Sequence, residues 1–191
     1  MKLEGVFVPH ITPFGVDGEI DLPALRELVW FWLNNGCSGL VTCGSNGESV
    51  HLSRADRMTV VKAVVDEIAG KALVIAGVGA PSTRETLMFA GDSEKAGVDG
   101  LIVVGPYYFK PDHRELFEHF KAVVESTTLP VLLYNVPKFM GYSLEPSLVE
   151  QLAMNCSRVV GVRIFAAPSH SFLGWWRKSE TVWLLWLVRG I

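Results

Sequence analysis

No dense run of basic residues appears in this chain of 191 residues, whose 17 Lys and Arg are outnumbered by 20 Asp and Glu for a net charge of −3. Nucleic-acid binding needs clustered cations, so that class of function has little support. Cysteine is scarce. Cys37, Cys43 and Cys156 are odd in number and fall in no metal-ligand spacing, which argues against a disulfide scaffold or a cysteine-based metal site. Two of them lie in or beside apolar runs and read as buried free thiols. No apolar signal-peptide core follows Met1-Lys2-Leu3-Glu4-Gly5. Val182–Val188 is apolar but only seven residues long, far short of a membrane span. These absences suit a soluble, cytoplasmic protein that engages neither nucleic acid nor membrane.

What is present is a repeat. Apolar residues are 49% and charged residues 19% of the chain, a globular balance with enough length for a real core. Apolar, β-type runs occur at Gly5–Pro9, Gly39–Cys43, Ala72–Ala76, Gly100–Val104, Val131–Asn135 and Val159–Val162. After the first, their starts are about 30 residues apart. Between them lie segments with apolar residues at helical spacing: Leu22–Asn35, Arg54–Ala69, Arg84–Ala96, His113–Ser126 and the shorter Pro146–Met154. The strand runs show little alternation, as expected of a parallel sheet covered on both faces. Ser53 with Asp56, and Ser82 or Thr83 with Glu85 or Thr86, form helix-entry signals, and Gly36 and Gly97 mark helix ends. This pattern predicts an α/β fold and favours a (β/α)8 TIM barrel over an open doubly wound sheet. About six βα units are present, whereas a complete barrel takes about 250 residues. Such an incomplete barrel leaves strands 1 and 6 with open edges unless the apolar tail folds over the gap.

In a barrel, function sits at the carboxyl ends of the strands. Strand 1 is followed by His10-Ile11-Thr12-Pro13-Phe14 and strand 2 by Gly44-Ser45-Asn46-Gly47-Glu48-Ser49. Strand 3 is followed by Gly77-Val78-Gly79-Ala80, strand 4 by Gly105-Pro106-Tyr107-Tyr108-Phe109-Lys110-Pro111, and strand 5 ends in Tyr134-Asn135-Val136-Pro137. The Gly44–Ser49 loop is either an ordinary βα turn with a polar tip or a receptor for a small carboxylate, built from a hydroxyl, a carboxamide and bare N–H groups. Hydroxyls after strands 2, 4 and 5 are placed to converge on one pocket. His10 could line that pocket or simply pack. Lys110 and Lys138 read as solvated rim lysines.

From about Leu3 to Val162 the order and spacing of these pieces resemble the dihydrodipicolinate synthase / N-acetylneuraminate lyase family, the pyruvate-type class I aldolases. The resemblance implies a (β/α)8 barrel assembled as a homotetramer, with no cofactor or metal. It implies a lysine on strand 6 that forms an imine with pyruvate or another 2-oxo acid, through which a neighbouring C–C bond forms or breaks. By the same resemblance Gly44, Ser45 and Asn46 bind the 2-oxo-acid carboxylate, and Tyr134 is the general acid/base. Tyr108 reaches in from a neighbouring subunit to complete a hydroxyl relay with Ser45, and Glu48 caps the following helix.

Two departures stand out. The synthases carry an arginine two positions after the Val-Pro of strand 5, where this chain has Phe139 within Lys138-Phe139-Met140. With Ser45-Asn46 in place of paired threonines, this leans toward the 4-hydroxy-2-oxoglutarate and 2-keto-3-deoxy-acid aldolase branches rather than a true synthase. The second departure is Arg163 in Val159-Val160-Gly161-Val162-Arg163, where the family has its imine lysine. A guanidinium stays protonated and delocalised and cannot serve as the nucleophile, so catalysis is expected to be lost. Resemblance also ends there. The partial barrel domain is expected over 1–163 and an atypical Trp-rich tail over 164–191, with four of the six tryptophans in Trp175–Trp186. One base lost from a Lys-Asp stretch of the gene would give Arg-Ile and then out-of-frame text, and a natural arginine variant is the alternative. A non-catalytic 2-oxo-acid-binding or oligomerisation protein is the second functional reading.

Overall fold

A computed structural model describes residues 3–165 and the backbone of Leu185–Leu187. Strands and helices alternate: β1 (Phe7–Pro9), α1 (Leu22–Asn34), β2 (Gly39–Thr42), α2 (Arg54–Ile68), β3 (Leu73–Gly77), α3 (Thr83–Lys95), β4 (Gly100–Val104) and α4 (His113–Glu125). Then follow β5 (Val131–Asn135), α5 (Pro137–Met140), α6 (Pro146–Asn155), β6 (Val159–Ile164) and β7 (Leu185–Leu187). The chain divides into two compact units. One holds the residues up to Val78 with Gly91–Leu101, and the other holds Gly79–Ala90 with the residues from Ile102 on.

In the first unit β1, β2 and β3 pair in parallel, with Phe7 opposite Gly39 and Gly39 opposite Leu73. All four residues of β2 are buried, which is why its text shows no alternation. Gly39 is required by the pairing, because a Cβ there would lie 2.4 Å from the Phe7 ring. The strands are covered by α2 through Val60, Val61, Val64 and Ile68 and by α1 through Leu25 and Val29, all buried. Each such side chain contributes about 1.5–3 kcal/mol. Both helices start as their sequences dictate. Asp21 Oδ1 accepts from the Ala24 N–H at 3.0 Å. Ser53 and Asp56 form a reciprocal capping box.

In the second unit β5, β6 and β7 also pair in parallel. Every residue of β5 is buried. Leu116, Phe120, Val123 and Val124 of α4 and Leu148, Val149 and Leu152 of α6 supply the apolar cover. α4 opens with a second capping box, between Asp112 and Glu115. Strand 6 is longer than its sequence suggests, running to Ile164, so Arg163 sits inside a strand opposite Tyr134. The far edge of β6 is not open: β7 pairs with it, Val162 opposite Leu185 and Ile164 opposite Leu187. The remainder of the Trp-rich tail lies outside the described residues. The three cysteines are free thiols, as expected; Cys43 and Cys156 are buried. Among the described residues no helix is long and apolar enough to cross a membrane.

Candidate active site

The Gly44–Ser49 loop belongs to the first unit and is held from three sides. Its backbone closes on itself, with the Gly47 and Ser49 N–H groups donating to the Gly44 carbonyl at 3.1 and 3.4 Å. From the segment after β1, Thr12 Oγ1 donates to the Gly47 carbonyl at 2.8 Å in a buried bond. From α2, the buried Arg57 reaches back: Nη2 donates to the Ser49 carbonyl at 2.9 Å and Nη1 to the Gly77 carbonyl at 3.1 Å. Entry to the loop bends at Cys43, a buried non-glycine residue with φ +51°. Such a conformation is strained and persists only where the surroundings impose it. Gly77 permits the bend, since a Cβ on it would lie 2.3 Å from the Cys43 carbonyl oxygen.

Within this frame Ser45 and Asn46 are exposed at the tip and Gly44 is half-buried. Among the described residues no acceptor takes their two backbone N–H groups. That suits an anion receptor. Glu48 departs from expectation. It precedes a 3-10 turn (Ser49–His51) with φ +53° and makes no side-chain capping bond. The helix cap is Ser53 instead, because the 3-10 turn intervenes before α2 begins. His10 is buried, and its Nδ1–H donates to the Ile11 carbonyl at 2.7 Å. Burial pulls its pKa down against that bond. It is thus a packed, neutral imidazole.

The second unit carries the other candidates. Tyr134 on β5 is buried, and the guanidinium of Arg163, also buried, lies 4.6 Å from the centre of its ring. Burial lowers the Arg163 pKa, and the interaction with Tyr134 opposes that shift. Asn135 fixes this strand end: its Oδ1 accepts from the Leu144 N–H at 3.1 Å and its carbonyl from the Phe165 N–H at 2.9 Å. Tyr108 lies in the loop after β4. It is 89% exposed, has φ +88° and packs edge-on against the equally outward Phe109. The loop that presents it is held by Tyr142, which sequence reasoning did not single out. The Tyr142 hydroxyl donates to the Pro106 carbonyl at 2.5 Å, and burial pushes its pKa up. Lys110 and Lys138 are exposed, as expected of rim lysines. Among the described residues there is no cluster of three or more His, Cys, Asp or Glu able to hold a metal ion.

Parallel strands alternating with helices are the pattern of an α/β protein of the (β/α)8 type. A crystal structure of a dihydrodipicolinate synthase superimposes with TM-score 0.91 at 36% identity, covering 97% of this chain and 63% of that one, so the fold is an incomplete (β/α)8 barrel. The dihydrodipicolinate synthetase family model matches residues 2–169, and the chain belongs to that family. The 4-hydroxy-tetrahydrodipicolinate synthase of Syntrophus aciditrophicus is 40% identical over 160 residues, covering 84% of this chain and 54% of that protein. YagE, a prophage protein of E. coli K12 whose structure holds pyruvate, gives TM-score 0.84 at 34% identity over 86% of this chain and 55% of that one. The chain spans about half the length of the curated relatives it matches.

Proposed function

We propose that this chain retains the 2-oxo-acid-handling residues of a pyruvate-type Schiff-base lyase and binds such acids reversibly, without forming the imine. In this reading Gly44, Ser45 and Asn46 receive the carboxylate through backbone N–H groups and short polar side chains. Tyr134 keeps the position of the acid/base hydroxyl. Tyr108 projects from its strained turn toward the site of a second copy in a homo-oligomer. Family membership supports pyruvate or a close 2-oxo acid as the ligand. The aldolase-like branches are favoured by Ser45-Asn46 and Phe139, while the Syntrophus relative carries a synthase name.

One observation carries the proposal: the strand-6 position that faces Tyr134 holds Arg163, buried and stacked on that ring. Imine formation needs a neutral amine whose lone pair attacks the ketone carbon, after which water leaves. The guanidinium nitrogens share their lone pairs across the plane, and the group remains a cation even when burial lowers its pKa. The same cation is a strong partner for a carboxylate through paired N–H donors. A calorimetric titration with pyruvate tests this. Saturable binding to the native chain that is weakened at least tenfold in Ser45→Ala/Asn46→Ala is the expected result. Absence of any pyruvate binding contradicts it.

A further inference from the structure

Resting on that reading, we infer that Tyr142 is a positioning residue: its hydroxyl, carried on the segment that leaves β5, sets the loop that presents Tyr108. Every contact involved lies within the second unit. Tyr142 stands between two ties to the end of β5. Before it, α5 closes at Gly141, whose φ is +75° and whose N–H donates to the Pro137 carbonyl at 2.9 Å. The start of α5 is pinned in turn, because the Val136 N–H donates to Met140 Sδ at 3.4 Å. After Tyr142, the Leu144 N–H donates to Asn135 Oδ1 at 3.1 Å. The ring thus inherits its place from the strand end that carries Tyr134.

From there the hydroxyl donates to the Pro106 carbonyl at 2.5 Å. The fit is close: a Cβ on Gly105 would lie 2.7 Å from that hydroxyl and 3.1 Å from Met140 Cε. Glycine at this position lets the phenol reach the backbone. Burial raises the Tyr142 pKa, so the phenol stays protonated and remains a donor at neutral pH. The loop needs such an anchor. Tyr108 has φ +88°, a conformation that a bulky residue keeps only where its surroundings impose it. Its own side chain is 89% exposed and imposes little. The constraint falls to the two ends of the loop: the Tyr142 bond at Pro106, and the capping box of Asp112 with Glu115 where α4 begins. In the proposed reading Tyr108 serves the site of a second copy, and Tyr142 reaches that site only through Tyr108.

Chymotrypsin cleavage of the full chain after Tyr108 or Phe109 reads the anchor, because cutting there tracks how often the loop opens. Tyr142→Phe keeps the ring and loses the bond, and should speed this cleavage about fivefold. Gly105→Ala, whose Cβ displaces the hydroxyl, should do the same. Ser53→Ala removes the cap of α2 in the first unit, a comparable loss of stability, and should leave the loop rate unchanged. Unchanged cleavage in either loop variant, or an equal rise in Ser53→Ala, overturns the inference. Calorimetric titration with pyruvate carries the test to the ligand. Tyr142→Phe should weaken binding about fivefold in the otherwise native chain and not at all in Tyr108→Phe. No loss, or the same loss in both backgrounds, also overturns the inference and leaves the proposed function standing. A native chain that binds no pyruvate defeats the proposed function, and cleavage alone then decides the role of Tyr142.

Discussion

Two buried arginines in this molecule do opposite things. Arg57 is 6% exposed and its two Nη groups end on backbone carbonyls, Ser49 on one side and Gly77 on the other. Arg163 is 8% exposed and rests its guanidinium on the face of Tyr134. The first is a clamp: carbonyl oxygens fix its plane, and it fixes a loop in return. The second lies in β6, its guanidinium held against the face of a ring. A buried guanidinium is thus held either by carbonyl acceptors or by the face of a ring.

The comparison is broken most severely on the Arg57 side. Arg57→Met leaves two carbonyls without their donor and should cost about 4 kcal/mol of stability, measured by urea unfolding. Gly77→Ala acts on the same junction. Its Cβ would meet the Cys43 carbonyl oxygen at 2.3 Å, backbone that cannot step aside, and should cost about 3 kcal/mol. A small loss from either would show that the loop does not depend on this junction.

His119 extends the contrast to a cation that the fold refuses. It is buried on α4, its Nδ1 lies 2.9 Å from Thr83 Oγ1, and burial lowers its pKa from 6.5 to about 4. The neutral ring is the folded form, so the stabilisation is complete above pH 6.5 and is lost as pH falls toward 4. The loss should reach up to about 3 kcal/mol in urea midpoints compared between those two pH values, and His119→Gln should flatten that part of the profile.

Smaller effects sharpen the Arg163 side. Tyr142→Phe removes the hydroxyl that holds Pro106 and should cost about 1 kcal/mol. Arg163→Met should change stability by less than about 1 kcal/mol, because replacing a desolvated cation with an apolar chain of similar volume is often neutral. It should nevertheless remove 2-oxo-acid binding. A loss as large as that for Arg57→Met would make Arg163 a second clamp and erase the distinction.

The sequence spoke clearly where structure is local. The Ser53–Asp56 capping box, the near-regular recurrence of apolar strands and the strand-end loops follow from spacing over a few residues. The Arg57 clamp joins residues 8 and 20 positions away, and the Tyr142–Pro106 bond spans 36. Hydrogen bonds from side chain to distant carbonyl leave no period to read. α5 escaped notice because its four residues complete barely one turn. The pairing of β7 with β6 was open for a related reason: a three-residue strand carries no alternation to recognise. Of the candidate site, the type of each residue was legible, but the left-handed backbone of Tyr108 was not. Its φ of +88° is imposed on a residue whose identity does not ask for it.

The central claim is that Arg163 permits binding and forbids the imine. Borohydride reduction in the presence of pyruvate, read by intact mass, tests it most directly. The account predicts no change in mass for the native chain under saturating pyruvate, and a single reduced pyruvyl adduct on residue 163 in Arg163→Lys. A stable adduct on the native chain would contradict it.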